Sequence, residues 1–326
     1  MSALREALAA GRFAVTAEIG PPRGADPTVI TRKAEHLRGW VDAANVTDNQ
    51  GAHVRMSSLG GSVLALRAGV EPVMQVTCRD RNRLALQSDL LSAAALGVPN
   101  VLLLTGDHPR YGDHPDGKPV FDLDGVQLVW TARTMRDERR LLSGRELTAP
   151  PSWTVGTVEN PFAPPVGFRA RRLLKKAVAG AEFVQTQFVF DVPRFAAFMS
   201  EVRDLGIPER CAVIAGVGPL RSVRVLEHVR DNVPGTHVPD ALARRLRGVP
   251  PARVAEEGVT ACVETIQAVR EIPGVAGVHV MAFGFEHGIP DILTRSGLGR
   301  ADRSQADHTE GAVPTTVLPG GAHRAG

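Results

Sequence analysis

Cysteine, tyrosine and long apolar stretches are scarce in this sequence, and each absence excludes a class of protein. The 326 residues include three cysteines, at positions 78, 211 and 262; an odd number at such wide separations argues against a disulfide framework or a CxxC metal site. No run of about 18 apolar residues occurs, and charged residues at positions 5, 6 and 12 interrupt the N-terminal segment, so we predict neither a membrane span nor a signal peptide. We expect a cytoplasmic protein without a membrane partner.

Lysine is also scarce, because only four of the 38 basic residues are lysines. The 35 acidic residues nearly balance the basic ones and leave a net charge of +3. The arginines are spread along the chain without interleaved aromatic residues, and there is one tyrosine. This distribution differs from the basic, aromatic-rich surfaces that bind nucleic acid, so we expect no nucleic-acid partner.

Short apolar segments alternate with longer segments of helical periodicity through most of the chain. The predicted strands are at 13–19, 43–47, 72–77, 100–105, 154–158, 183–190, 211–216 and 277–283. The predicted helices are at 27–37, 56–67, 82–95, 126–142, 170–178, 193–205, 221–229 and 252–272. Eight such units predict an α/β fold, a closed (β/α)8 TIM barrel, because parallel strands need long crossovers and helices must cover the outside. The alternative is an open doubly wound sheet, disfavoured because GxGxxG, Walker A and GxSxG motifs are missing.

Two regions lie outside this alternation. Residues 106–124 form a polar loop after the fourth predicted strand, and a loop of that length in a compact domain is usually functional. Residues 300–326 lack periodicity and are rich in Gly, Pro, Thr and Ala, a composition typical of disorder. We therefore predict a single barrel domain over residues 1–299 and a disordered tail over residues 300–326.

Polar residues occur at or just after the carboxyl ends of the predicted strands, where barrel enzymes place their chemistry. Glu18 lies among apolar neighbours, which would favour its neutral form and let it donate a proton near neutral pH. The alternative is a surface glutamate or a strand-end ion pair. The residues in equivalent positions on later strands include Thr47, Gln75, Asp107, Asn160 and Gln187. Hydroxyl, amide and carboxylate groups in a ring suit a neutral heterocycle better than a phosphate.

The tetrapeptide Gly-Asp-His-Pro occurs twice in the long loop, at 106–109 and 112–115. Two aspartates and two histidines could form a metal site. However, neither pair has the spacing of ligands on a helix, and no cysteine or third histidine accompanies them. The Asp-His-Pro part of the repeat is equally typical of a turn, so we expect no metal site.

The order of these segments resembles one family, the methylenetetrahydrofolate reductases. The resembling segments are 18–22, 45–52, 75–82, 104–109, 118–124, 158–161, 176–181, 185–188, 215–220 and 278–281. They cover about residues 13–298 in the family's order, and the repeated Gly-Asp-His-Pro loop is similar to one branch of it. The resemblance implies a flavin-type barrel that reduces 5,10-methylenetetrahydrofolate to 5-methyltetrahydrofolate and supplies methyl groups for methionine synthesis.

The resemblance also implies roles for particular residues. Glu18 matches the family's acid, Asp107 the aspartate beside the flavin and the pterin, and Gln187 the glutamine that hydrogen-bonds both substrates. These three are the expected catalytic and substrate-binding residues. The positions that match the cofactor side are Thr47, Gln75, Thr105, Gly106, Asp107, Asn160 and Lys176.

The chain departs from the best-known bacterial pattern chiefly at cofactor positions. That pattern has His where this chain has Gln75 and Arg where it has Thr105. It also has a Tyr at position 156 or 157 and a His near Asn160. A folate-binding Arg after the last strand is replaced by the region 285–287. The resemblance implies FAD as a cofactor, but these departures leave two alternatives open. FAD binding is weak, altered or absent, or it is retained as in the Gly-Asp-His-Pro branch, which shares some of these substitutions and still uses flavin. Without flavin, hydride would pass directly from NADH to the substrate iminium; NADPH is the alternative donor.

Two other functions are compatible with the residues. One is a non-catalytic barrel that binds folate or flavin as a subunit of a methyl-transfer complex, which the retained acid Glu18 disfavours. The other is a barrel enzyme of a different substrate class, such as a lyase or an amine dehydrogenase, since fold alone does not determine function. The expected partners are small molecules, the reduced folate and NADH, and the sequence does not indicate an oligomeric state.

Overall fold

The computed structural model describes residues 2–300, whose eight strands form a closed parallel barrel in chain order. The strands are β1 (Ala14–Ile19), β2 (Ala43–Val46), β3 (Pro72–Thr77), β4 (Asn100–Leu104), β5 (Thr154–Glu159), β6 (Phe183–Phe188), β7 (Ala212–Val217) and β8 (Val275–Val280). The barrel closes between β1 and β8, where Val15 is in register with Val278. The predicted (β/α)8 barrel in a single domain is therefore confirmed.

The helices lie in the connections and flank the strands. Those of the described chain are α1 (Ala3–Ala9), α2 (Thr28–Leu37), α3 (Ser58–Arg67), α4 (Arg83–Ala95), α5 (Gly125–Asp137), α6 (Arg169–Ala179), α7 (Val192–Asp204), α8 (Val223–Asn232), α9 (Asp240–Arg247), α10 (Val254–Arg270) and α11 (Ile289–Arg295). Eight of them correspond to predicted helices. The sequence patterns did not predict α1, α9 or α11.

The main core lies between the strands and the surrounding helices. Strand residues that face outward, such as Val15, Ala17 and Ile19, are fully buried against helix residues such as Ile30 and Leu37. Strands buried on both faces read as nearly continuous apolar runs, which is why the sequence revealed them so clearly. This layer fixes the strands and so positions the residues at their carboxyl ends.

A smaller core fills the amino-terminal end of the barrel interior. Helix α1 places Leu4 and Ala7 against inward-facing residues that include Ala14 and Phe183. Gly156 makes room for the Phe183 ring, because a Cβ at that position would lie 2.1 Å from the ring's Cζ. The interior is thus closed at this end, and access from solvent is left to the carboxyl end.

Arg300, the last described residue, packs against the segment that follows α2. The Arg300 guanidinium donates to the Gly39 carbonyl at 3.1 Å and lies 4.7 Å from the centre of the Trp40 ring. The remainder of the predicted tail, residues 301–326, lies outside the described residues. No helix within residues 2–300 is both long and apolar enough to cross a membrane.

Candidate active site at the carboxyl end of the barrel

The predicted site residues lie on or directly after the carboxyl ends of several strands. Glu18 shares the inward face of β1 with Thr16, and Gln75 shares the inward face of β3 with Val73, since alternate residues face the same side. Gln187 precedes the last residue of β6, and its Oε1 accepts a hydrogen bond from the Phe188 amide at 3.0 Å. The barrel therefore brings these three side chains to one end of the molecule.

The remaining predicted residues follow β2, β4 and β5. Thr47 is buried, and its amide donates to the Ile19 carbonyl at 3.4 Å. Gly106 has φ of +87°, and a Cβ there would lie 2.9 Å from the Thr77 Cβ, so glycine is required by both conformation and space. The Asp107 side chain next to it is exposed to solvent.

Glu18 has the environment of a proton donor. Its carboxylate accepts a hydrogen bond from Gln50 Nε2 at 3.3 Å. Burial raises the pKa of Glu18 to about 7; the Gln50 hydrogen bond and the Lys33 charge lower it, and the Glu286 charge raises it further. A carboxyl group with this pKa is populated in both protonation states at neutral pH, as general acid catalysis requires.

A layer of polar side chains crosses the barrel interior below Glu18. Thr16 Oγ1 lies 3.0 Å from His279 Nδ1 and accepts from Gln185 Nε2 at 3.1 Å. The Gln185 and Asn45 amides also bond to each other, with Gln185 Nε2 donating to Asn45 Oδ1 at 3.1 Å. Burial lowers the pKa of His279 to about 3, so its imidazole is neutral. The layer links β1, β2, β6 and β8.

These four residues were not predicted as site residues. They lie far apart in the sequence, and single polar residues inside apolar strands give no local pattern. The available signal was position: with strict alternation, Thr16 and Glu18 must share a face of β1, and Gln185 and Gln187 a face of β6. Sequence reasoning also missed Lys33 and Glu286, which come from a helix and from the turn after β8.

A network of charged residues supports the ends of β2 and β3. Asp48 Oδ2 accepts hydrogen bonds from the Thr77 amide and from Thr77 Oγ1, each at 2.8 Å. Arg81 contacts the same carboxylate and pairs with Asp89 at 2.8 Å. These contacts keep the ends of β2 and β3 together. Asp48 therefore has a structural role next to the predicted site residue Thr47.

The long loop after β4 is attached at its base. The buried Arg79 guanidinium pairs with Asp80 at 2.7 Å and reaches the Asp107 carbonyl at 3.5 Å. Further along, the Val120 amide donates to the Arg79 carbonyl at 2.8 Å. Both ends of the loop are therefore held against the segment that follows β3, which places Asp107 at the rim of the barrel.

The middle of the long loop packs against the loop after β2. Asp113 accepts from the Val54 amide at 3.1 Å, and a Cβ at Gly112 would lie 1.8 Å from the Ala52 carbonyl oxygen. His108 Nδ1 accepts from the Arg110 amide at 3.2 Å. The repeated tetrapeptide thus forms turns and loop contacts. Residues 2–300 contain no group of three or more His, Cys, Asp or Glu arranged to hold a metal ion.

The predicted cofactor residues beyond β4 and β5 use their polar groups within the protein. The buried Lys176 ammonium contacts the Val158 carbonyl and pairs with Glu159 at 3.1 Å; burial lowers the pKa of this ammonium, and Glu159 opposes that effect. Asn160 Nδ2 donates to the Pro234 carbonyl at 2.8 Å. Thr105 Oγ1 accepts from the Gly125 amide at 3.2 Å.

This arrangement does not fit the diphosphate of FAD. A diphosphate needs cations or hydrogen-bond donors directed at the ligand. Around β5 the cations face Glu159 instead, with Arg169 at 3.5 Å and Arg172 at 3.7 Å in addition to Lys176. The assignment of Thr105, Asn160 and Lys176 to cofactor binding accordingly stays a prediction, and no step below passes through a flavin.

Comparison with known proteins places this geometry in a family context. The sequence model of one family, described as methylenetetrahydrofolate reductase, matches residues 3–297. A probable methylenetetrahydrofolate reductase (NADPH) of Caenorhabditis elegans is 25% identical over 259 residues, which are 76% of this chain and 35% of that protein. Methylenetetrahydrofolate reductase 2 of Schizosaccharomyces pombe is 26% identical over 69% of this chain and 35% of its own length. The chain thus spans about a third of the length of these relatives.

Two further comparisons extend this result. Methylenetetrahydrofolate reductase (NADH) 1 of Arabidopsis thaliana is 26% identical over 48% of this chain and 26% of its own length. Among solved structures, an uncharacterized protein from Clostridium thermocellum, which binds two copies of 5-methyl-5,6,7,8-tetrahydrofolic acid, superposes with a TM-score of 0.61. That match covers 94% of this chain and 100% of the other at 12% identity, so it shows a shared fold.

Proposed function

Because the chain belongs to the methylenetetrahydrofolate reductase family, we propose that it reduces 5,10-methylenetetrahydrofolate to 5-methyltetrahydrofolate with NADH. The single observation that carries this proposal is Glu18, a carboxyl group at the barrel mouth whose pKa burial raises to about 7. The folate derivative bound by the Clostridium thermocellum protein of the same fold supports the substrate class. The product would serve methionine synthesis, and the free, buried thiols of all three cysteines suit a cytoplasmic setting.

The reaction needs a proton before it needs a hydride. Protonated Glu18 gives its proton to the nitrogen that leaves the five-membered ring, the carbon–nitrogen bond breaks, and the other nitrogen forms an exocyclic iminium. Hydride from NADH then adds to the iminium carbon, which becomes the methyl group, and NAD+ is released. One proton and one hydride are consumed in each cycle, and Glu18 recovers its proton from solvent.

Direct hydride transfer agrees with the site as it is built. An iminium is a strong hydride acceptor, so the step requires no intermediate electron carrier. The side chains of Thr105, Asn160 and Lys176 each bond to a group of the protein. We propose that reduced nicotinamide and folate meet above Glu18, with NADH as the donor; the names of relatives include both NADH and NADPH.

Asp107 and Gln187 are the proposed substrate-orienting residues. The exposed Asp107 carboxylate at the rim can accept hydrogen bonds from amino and ring N–H groups of a pterin. Gln187 has an amide NH2 that can donate to the substrate while its Oε1 accepts from the Phe188 amide. That internal bond fixes which end of the Gln187 amide faces the opening.

The substitution Glu18→Gln tests the proposal. It keeps the size and hydrogen-bonding capacity of the side chain but removes the transferable proton. We expect kcat/KM for folate-dependent NADH oxidation to fall by about 10²- to 10⁴-fold. Circular dichroism and thermal melting of the same sample establish that the barrel is folded. Activity within about threefold of the unsubstituted protein would remove Glu18 from the role of acid.

A further inference from the structure

An ion pair beside Glu18 connects two parts of the barrel that are far apart in sequence. The Lys33 ammonium, on α2, lies 2.8 Å from Glu286 Oε1 in the turn after β8. The same ammonium donates to the Gly20 carbonyl at 3.1 Å, two residues after Glu18. Glu286 is buried, with 7% of its surface exposed. Lys33 therefore joins α2, the end of β1 and the last turn of the barrel.

Resting on the proposed function of Glu18, we propose that Lys33 and Glu286 are positioning residues that set when the Glu18 carboxyl holds its proton. Neither residue transfers the proton. Each places a charge near the acid, and the two charges have opposite signs. The pair also holds the backbone after β1 in place, through the bond to Gly20.

The two members of the pair act on Glu18 in opposite directions. Lys33 stabilises the ionised carboxylate and lowers its pKa, whereas Glu286 repels it and raises the pKa. With the two charges in contact, their effects on Glu18 oppose each other, and burial is the largest influence on its protonation. If Glu286 lost its charge, an unbalanced ammonium would favour ionised Glu18, which is not a proton donor.

Other charged or titratable side chains come from the same elements as the pair or from neighbouring ones. His36 comes from α2 and His287 from the turn after β8, with ring centres 6.0 Å apart. Arg221, after β7, lies 4.1 Å from the centre of the Phe285 ring. Gln50 faces Glu18 as a neutral donor. All of these groups are kept in the variants below, so they form a constant background.

The test compares the pH dependence of kcat/KM in two single variants. A general acid loses activity as the pH rises through its pKa. Glu286→Gln is expected to move this alkaline limb to lower pH by about one unit, and Lys33→Met to move it to higher pH by about one unit. The double variant is expected to return the limb toward its original position. Lys175→Met, which removes an exposed ammonium from α6, is the matched control and should leave the limb unmoved.

A purely structural role predicts a different pattern. Both single variants would then lower kcat or raise KM with the limb in its original place, and that result would overturn the proposal. The same would follow if both variants moved the limb in one direction.

A second measurement does not depend on turnover. Carbon-13 NMR of glutamate carboxyl groups, with Glu18 assigned by its loss in Glu18→Gln, follows the protonation of Glu18 without substrate. Opposite displacements of the titration in the two variants support the proposal even if the protein does not reduce folate. An unchanged Glu18 titration in both variants rejects it. If Glu286→Gln fails to fold, Glu286→Asp replaces it. This substitution increases the distance between the carboxylate and Lys33 but keeps the negative charge, so it should move the Glu18 titration less than Lys33→Met does.

Discussion

Glu18 combines two opposing demands. A partly buried carboxyl group keeps its proton near neutral pH and can donate it there, but its ionised form destabilises the folded protein. The surrounding barrel favours the neutral form, and it does so by withholding water from the carboxylate. Raising its pKa from 4.5 to about 7 corresponds to a difference of at most about 3 kcal/mol between the two protonation states. We therefore expect the acid to reduce the stability of the protein at alkaline pH.

The stability of Glu18→Gln should reveal this cost as a function of pH. Below pH 4.5 the carboxyl is protonated in both the folded and the unfolded chain, so the cost is zero. Between pH 4.5 and about 7 the unfolded chain ionises first, and the folded chain loses stability as the pH rises. Above pH 7 the loss is complete. We expect the free energy of unfolding of Glu18→Gln to exceed that of the original protein by up to about 3 kcal/mol at pH 8. The difference at pH 4.5 should be small. Urea unfolding at the two pH values measures the difference, and a gap independent of pH would contradict the account.

Glu18 could be proposed as the acid from the sequence, but the value of its pKa could not be predicted. Its place at the end of a strand made Glu18 a candidate, and the family resemblance suggested its role. The value of its pKa depends on Gln50, Lys33 and Glu286, which arrive from three other segments of the chain. A single sequence contains no local signal for such contacts.

At the scale of the strands, the interior of the barrel changes from apolar to polar along its axis. The amino-terminal end is filled by residues such as Leu4 and Phe183, and the next level contains the buried residues Thr16, Asn45, Gln185 and His279. A buried polar layer is stable only when its members bond to one another, as these do. Because the four residues come from four strands, the layer fixes the relative heights of β1, β2, β6 and β8 below the site.

His279 gives a direct test of this layer. Burial lowers its pKa to about 3, so the imidazole should stay neutral where an exposed histidine is charged. Nitrogen-15 NMR of the imidazole rings should show one histidine that does not titrate between pH 7.5 and 4.5, and His279→Asn should remove that signal. Titration of His279 near pH 6.5 would show that the layer is open to water.

The loop after β2 and the long loop after β4 form a second structural unit, and their close contact depends on Gly112. A methyl group at this position would lie 1.8 Å from the Ala52 carbonyl oxygen, so Gly112→Ala must push the loops apart. We expect a loss of about 1–3 kcal/mol in stability and about a 10- to 100-fold fall in kcat/KM, because Asp107 is displaced with its loop.

Gly167→Ala is the control for that substitution, since a Cβ there meets no atom within 4 Å and the backbone needs no positive φ. It should leave the free energy of unfolding within about 0.5 kcal/mol of the original value and kcat/KM within about twofold. Thermal melting and steady-state kinetics on the two variants make the comparison. Equal activity of the two alanine variants would show that the loop contact does not position the site.

Elements were predictable from sequence to the extent that they are long or fully buried. The eight strands begin and end within three residues of the predictions, because continuous apolar runs between turn residues mark them. Helices α1, α9 and α11 escaped prediction: they have seven, eight and seven residues, too few turns to display a helical period. Of these, α1 matters most, since it closes the amino-terminal end of the barrel.

At the scale of the whole molecule, the closed barrel and the family membership are the observations that support the proposed reaction. The chain spans about a third of the length of its curated relatives. Its described residues, 2–300, form one closed barrel with its helices. The fold could be predicted because it follows from the alternation of strands and helices. The ion pairs that Lys176, Arg169 and Arg172 form with Glu159 could not be predicted, because they join residues from a strand and a helix.

The most direct test of the account follows the hydride itself. The purified protein, shown by its absorbance spectrum to carry no flavin, is mixed with 5,10-methylenetetrahydrofolate and NADH that bears deuterium at both C4 positions. Mass spectrometry then reads the methyl group of the product. We predict 5-methyltetrahydrofolate with one deuterium in that methyl group, formed without added FAD or FMN. Product that forms only when flavin is supplied would contradict direct transfer, and consumption of neither substrate, with NADPH also tried, would contradict the proposed function.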